Sequence, residues 1–307
     1  MSPQPRVVSL LASATEIVCA LGLESHLVGR SHECDYPASV RRLPACSEPE
    51  IDITRPSAEI DRDVRERVKA GLSVYKVSEA ALRELQPDLI LTQTQCEVCA
   101  VTPRDVEDAV CEWTGRRPRI VSLEPVRLDD VWKDIQRIGA ALDAEQRARR
   151  LVARLQERMH AVVERARTRA SRPGVGCIEW VDPLIGAGNW IPELVEMAGA
   201  ENVFGAAGEH APQLEWEELV RADPQVMAIM PCGYDLATTR RDAALLAERA
   251  QWPALRAVRG GRVAVIDGNQ YLNRSGPRLV ESLEILAEIF HPDVFDFGHR
   301  GRAWEWF

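Results

Sequence analysis

Residues 6–22 read RVVSLLASATEIVCALG, and the change of period inside this stretch decides the fold. Arg6 to Leu10 is a short run with paired valines, suited to a buried strand. Small polar residues follow as a loop, Leu11 to Ala14. Thr15 to Leu21 then spaces its apolar residues as a helix face, with Gly22 as the stop. A strand, a polar loop and a Gly-stopped helix open a βα unit. The same grammar recurs outward: His26–Arg30 as a strand, Glu79–Leu85 as a helix, Leu89–Thr92 and Arg119–Leu123 as strands, and Asp129–Leu142 as a helix. Strands alternating with helices predict an α/β fold with parallel sheets.

After a long charged stretch the pattern restarts. Val175–Trp180 reads as a strand, Ile191–Ala198 as a helix stopped by Gly199, and Glu201–Phe204 as a strand. Glu217–Ala222 then leads through Asp223-Pro224 into an apolar run ending at Met230. ALRELQPDLILTQ (81–93) and EELVRADPQVMAIMP (217–231) share one order, helix, Pro, strand, which points to a diverged internal repeat. Between the halves, Leu151, Val152, Leu155, Met159, Val162, Val163 and Ala166 form one apolar stripe at helical spacing. Asp143 and Gln146 resemble a capping box at its start. The expected division is an N-terminal lobe over 1–142, a bracing helix over 143–172 and a C-terminal lobe over 173–307, with a ligand cleft between the lobes. The 307 residues suit two lobes of ordinary size.

Hydrophobic residues make up 46% and charged residues 28%, a globular balance, and the net charge of −9 argues against nucleic acid and anionic membranes as partners. No apolar run approaches the length of a bilayer span, and the N-terminal stretch has no unbroken apolar region of the signal-peptide kind, so a cytoplasmic location is expected. Eight cysteines in such a chain suit reduced thiols or metal ligands better than disulfides.

In parallel α/β sheets, ligands bind beyond the carboxyl ends of the strands. Those ends carry Ser31 to Pro37, Gln93 to Cys99, Glu179 to Pro183, Gly205 to Gln213, Pro231 to Asp235 and Asp267 to Arg274. Aromatics, amides and thiols at such edges suit a large, flat, partly apolar ligand with peripheral amides. Cys34, Cys96 and Cys99 follow different strands of the first sheet and form a candidate thiolate site for zinc, copper(I) or cobalt; the alternative is three reduced thiols with no metal. His210 offers an imidazole to a metal or is a plain surface histidine. Trp180 and Tyr271 fit ligand contact or core packing. Asp182, Glu124 and Asp267 could serve as acids or bases, but no nucleophile elbow, phosphate loop or zincin helix accompanies them, so a non-enzyme is expected. The aromatic end, Ala303 to Phe307, is a candidate partner contact.

RVVSLLASATEIVCALG, HECDYP (32–37), LRELQPDLILTQ (82–93), GNWIPELVEMAGAENVFG (188–205) and NRSGPRLVESLEILAEI (273–289) together resemble the cobalamin- and ferric-siderophore-binding class of periplasmic binding proteins. The similarity runs in the family's order and is strongest to the cobalamin branch, especially to unsecreted members with a Cys-x-x-Cys segment. It implies two Rossmann-like lobes joined by one long helix, with the ligand held between them. Carried over by position, the ligand-lining loops fall on Ala12, Ser13 and Ala14, on Tyr36, on Trp180 and Asp182, and on Gln270, Tyr271 and Arg274. Where the secreted cobalamin binder has a tryptophan in the second lobe, this chain has Ala211 beside His210. Of the acidic pair that meets an ABC permease, Glu217 matches, whereas the first-lobe position reads Ala80 with Glu79 next to it, a departure that argues against docking. The expectation is therefore a cytoplasmic carrier, sensor or transport-related protein with a cobalamin-like corrinoid as its bound ligand. A ferric siderophore or other metal chelate is the first alternative and a metal- or corrinoid-dependent enzyme the second.

Overall fold

Val7, Val8 and Ser9 are fully buried, and the strand they form lies inside a parallel sheet. The computed structural model describes residues 4–70, 72–94, 101–110, 117–169 and 171–307. The chain divides into two compact units: residues 1–55, 59–125 and 129–153 make the first, and 56–58, 126–128 and 154–307 the second.

The first unit runs β1 (Val7–Ser9), α1 (Ala12–Ala20), β2 (Leu27–Arg30), β3 (Ser47–Pro49), α2 (Ser57–Lys69), β4 (Tyr75–Val77), α3 (Glu79–Leu85), β5 (Leu89–Gln93), α4 (Pro103–Val110), β6 (Arg119–Leu123) and α5 (Leu128–Ala141). Its main sheet has the order β2-β1-β5-β6, parallel throughout. β5 is buried along its whole length, which is why LILTQ is apolar without alternation. Val8, Leu10, Leu82, Ile90 and Val106 pack as one core cluster. The antiparallel pair β3 and β4 is an addition that period-based reading did not contain.

Two expectations about helix ends are corrected. Ala12, Ser13 and Ala14 are not a loop but the first turn of α1. Hydroxyls that read as loop chemistry are accommodated in the helix, the Thr15 hydroxyl donating to Cys34 Sγ at 3.1 Å. Asp143 does not cap the long helix: with φ +53° it closes α5, and the long helix, α6, spans Glu145–Ala166. Leu151, Val152, Leu155, Met159, Val162 and Ala166 are buried along it, as their spacing predicted. The division between the units falls at Ala153 and Arg154 within this helix.

The second unit continues with β7 (Gly174–Trp180), β8 (Ile185–Gly186), α7 (Ile191–Met197), β9 (Glu201–Asn202), α8 (Trp216–Ala222), β10 (Val226–Ile229), α9 (Leu236–Ala247), α10 (Arg256–Arg259), β11 (Val263–Ile266), α11 (Leu279–Phe290) and β12 (Trp304–Trp306). β9, β7, β10 and β11 are parallel neighbours in that order, matching β2-β1-β5-β6 of the first unit strand for strand. Gln86 and Asp223, both left-handed, end α3 and α8 immediately before a proline. These two likenesses give the proposed repeat a structural counterpart. β8 and β12 pair antiparallel to β7 and β11 and extend the sheet. The chain's aromatic end is therefore a sheet strand, with Trp304 fully packed. Among the described residues, no helix is long and apolar enough to cross a membrane.

Candidate ligand-binding edges of the sheets

At the carboxyl end of β1, Leu11 opens α1 and leaves Ala12, Ser13 and Ala14 buried beneath the edge. Beside it, the loop after β2 is fastened in place. Ser31 N–H donates to the Ser9 carbonyl at 2.8 Å, and Ser47 Oγ lies 3.0 Å from His32 Nδ1 and 3.2 Å from Ser31 Oγ. The His32 ring packs against Tyr75 with centroids 5.3 Å apart, and burial holds its pKa below the usual imidazole range. The same loop leaves Tyr36 exposed, at 45%. Cys34 points inward: it is 1% exposed, takes the Thr15 hydrogen bond and lies 3.8 Å from the Ser9 carbonyl. Cys96 and Cys99 lie outside the described residues, and among the described residues no group of His, Cys, Asp and Glu side chains is arranged to hold a metal. At the end of β5 and β6, Thr94 donates to Glu124 at 2.5 Å. Nearby on α5, Asp134 is buried with one carboxylate oxygen unpartnered among the described residues, and burial pushes its pKa up to about 7.

In the second unit the edge is built from the ends of β7, β10 and β11. Trp180 closes β7; its indole N–H donates to the Asp182 carbonyl at 3.0 Å, and its ring meets Tyr234 at 5.2 Å. The Asp182 side chain is exposed. After β11 the chain makes a knot of polar contacts. Gly268 passes so close to the end of β10 that an added Cβ would lie 2.1 Å from the Pro231 carbonyl oxygen. Asn273 donates to the carbonyls of Met230 and Gly268 at 3.0 and 3.1 Å, and Arg274 to Asn269 Oδ1 at 2.9 Å. Arg278 donates to Gln270 Oε1 at 2.8 Å while its guanidinium lies 5.3 Å from the Tyr271 ring centroid. Gln270, Tyr271 and Arg274 lie in this one segment, and Arg274 is buried in the knot. His210 is exposed on a loop tied to Asn189 by two backbone hydrogen bonds, at 2.7 and 2.9 Å.

Two residues of this edge escaped the sequence reading. Arg278 holds two of the expected ligand residues, and its signal lay in the quoted 273–289 motif. Glu179 is an acid inside the otherwise apolar strand GVGCIEW, and that mismatch is a signal in itself. Away from the edges, Glu79 pairs with Arg83 on its own helix, and Glu217 is exposed in the first turn of α8.

Parallel sheets whose carboxyl edges carry clustered aromatics and amides offer a place for a bound ligand. The family model described as Periplasmic binding protein matches residues 7–270, and the chain belongs to that family. It is 24% identical over 296 residues to an uncharacterized ABC transporter substrate-binding lipoprotein of Bacillus subtilis, covering 94% of this chain and 81% of that protein. A vitamin B12-binding protein of Yersinia pestis is 24% identical over 241 residues, with 73% and 69% covered. The fold matches the crystal structure of a periplasmic heme-binding protein from Pseudomonas aeruginosa with a TM-score of 0.71 at 24% identity, covering 95% of this chain and 94% of that one.

Proposed function

We propose that the protein binds a cobalamin-like corrinoid, and that Trp180, Tyr271 and Gln270 at the edge of the second unit's sheet contact it. The observation that carries this reading is the edge of the second sheet, where the Trp180–Tyr234 pair and the Tyr271 ring stand beside amides held in fixed orientation by Arg274 and Arg278. Aromatic faces suit a flat macrocycle, and oriented amides suit its peripheral amide groups. The likeness to a vitamin B12-binding protein supports the choice. His210, exposed on the loop tied to Asn189, favours a second reading in which an iron chelate such as heme is the ligand.

The same proposal sets the protein in the cytoplasm. Cys46 and Cys177 are buried thiols, which suits a reducing compartment; recovery with a periplasmic marker on cell fractionation would reject this. For the ligand, titration of the purified protein with cyanocobalamin, hemin and a ferric siderophore, followed by calorimetry, should show one-to-one binding of cobalamin. Tight binding of hemin or the siderophore with none of cobalamin would transfer the assignment to the second reading.

A further inference from the structure

Glu179, the residue before the last of β7, sits among groups that do not neutralise it. Gly188 N–H donates to Oε1 at 3.2 Å, and no lysine, arginine or histidine pairs with the carboxyl among the described residues. The titratable groups on the elements around it are Cys177 on β7, Cys232 after β10, and Glu209 and His210 on the loop packed against Gly188. The Cys232 backbone N–H donates to the Glu179 carbonyl at 3.3 Å, which ties this residue to the end of β10. Gly188 itself cannot be replaced without moving that loop, because a Cβ there would sit 2.3 Å from Ala211 N. The carboxyl is thus held by a backbone donor on one oxygen, next to Trp180, at the carboxyl edge of the sheet, and the residue keeps part of its surface open.

A carboxylate in that position would need a cation or several N–H donors to remain ionised, and among the described residues one donor reaches it. Burial accordingly pushes its pKa up to about 8, so the acid is mainly neutral at neutral pH. A neutral carboxylic acid differs from a carboxylate in having an O–H to give. We propose that Glu179 is a ligand-contacting residue that donates a hydrogen bond from its protonated carboxyl to a neutral acceptor, an amide carbonyl, on the rim of the bound ligand. This inference rests on the corrinoid reading and narrows it: the group recognised is a side-chain amide of the macrocycle rather than an acidic substituent, which would meet an ionised acid with repulsion once the pH rises.

The test uses the full chain and cyanocobalamin, whose cobalt carries a cyanide that does not titrate in the range examined. In wild type, affinity should hold steady from about pH 6 to 7 and fall by up to tenfold per pH unit above about 8, where the free protein loses the proton. Glu179→Gln supplies an N–H in place of the O–H, so it should bind within about threefold of wild type at pH 7 and show no fall above pH 8. Glu179→Leu removes the donor and leaves the ligand's acceptor unpaired, weakening binding on the order of tenfold or more. A difference infrared spectrum of wild type against Glu179→Gln at pH 7 should show the carbonyl band of a protonated acid that shifts when cyanocobalamin is added. Tight binding that is indifferent to Glu179→Leu, or a band that does not respond to ligand, overturns this inference and leaves the corrinoid reading standing. No binding of cyanocobalamin by wild type overturns both.

Discussion

Gly268 shows how one residue holds the second edge together. The chain leaving β11 passes against the Pro231 carbonyl at a separation that a methyl group cannot share, and Asn273 binds the carbonyls on either side of that passage. Gly268→Ala must push the Asp267–Arg278 segment outward, and overpacking at such a contact costs about 1–3 kcal/mol. We expect a lower urea midpoint and weaker ligand binding together, because the displaced segment carries Gln270 and Tyr271. Tyr271→Ala separates the two effects: its ring is partly exposed over the Arg278 guanidinium, so ligand affinity should fall while the unfolding midpoint moves by less than about 1 kcal/mol in free energy. If Gly268→Ala left both quantities unchanged, the close approach would have no consequence for the site.

At the scale of elements, β12 and α11 depend on each other. α11 is buried over nearly its whole length, yet it carries Glu281, Glu284 and Glu288 on one side. Glu284 binds His299 at 3.0 Å and Arg158 at 2.8 Å, and Glu288 accepts from the backbone N–H of Phe297 and His299 and, at 2.7 Å, from the Trp304 indole. Glu284 and Glu288 are buried because partners from elsewhere in the unit reach them. Trp304→Phe keeps the ring volume roughly but leaves a Glu288 oxygen without its donor, a loss of about 1–3 kcal/mol. Removal of residues 303–307 goes further, since it strips β12 from β11 and uncovers an edge of the sheet. We expect a loss of about 3–5 kcal/mol from the tryptophan alone and aggregation on warming, followed by light scattering. A truncated chain as stable and monodisperse as the full one would show that β12 is dispensable.

Across the whole molecule, pH acts through carboxyls whose pKa burial raises. Asp134 and Glu179 are raised to about 7 and about 8, and Asp242, Asp267 and Glu281 are shifted in the same direction, all chiefly by desolvation. For Asp134 and Glu179 the folded state holds the proton where the unfolded chain has released it, so their contribution to stability falls as pH rises from about 4.5 to about 8. His32 and His291 are lowered by burial, and their opposing contribution is complete above about pH 6.5, where the unfolded imidazoles have also lost their protons. Between about pH 6.5 and 8 the carboxyls therefore act alone. The melting temperature should drop over that interval by roughly 2–6 °C, and Glu179→Gln should flatten the drop. A melting temperature that rises or stays level there would contradict the protonated state assigned to these acids.

The sequence alone determined what is periodic along the chain. LILTQ announced a strand buried on both faces, the α6 stripe its helix, and the prolines after Gln86 and Asp223 the paired helix ends, because each is a pattern among neighbours within a few residues. Motif order brought the family into view before any coordinates. Of the candidate site, the segments at the strand ends were legible as segments. What tertiary structure alone decided is who meets whom across long separations. Asp143 closes one helix instead of opening the next, Ala12 to Ala14 are a helical turn, and Trp304 is a strand residue bound to Glu288. Glu179 stood out in the sequence only as an acid within an apolar strand. Its proton is set by the walls around it and by a single amide from Gly188, and no local pattern encodes how completely a fold will exclude water from a side chain or whether it will bring a cation to meet it.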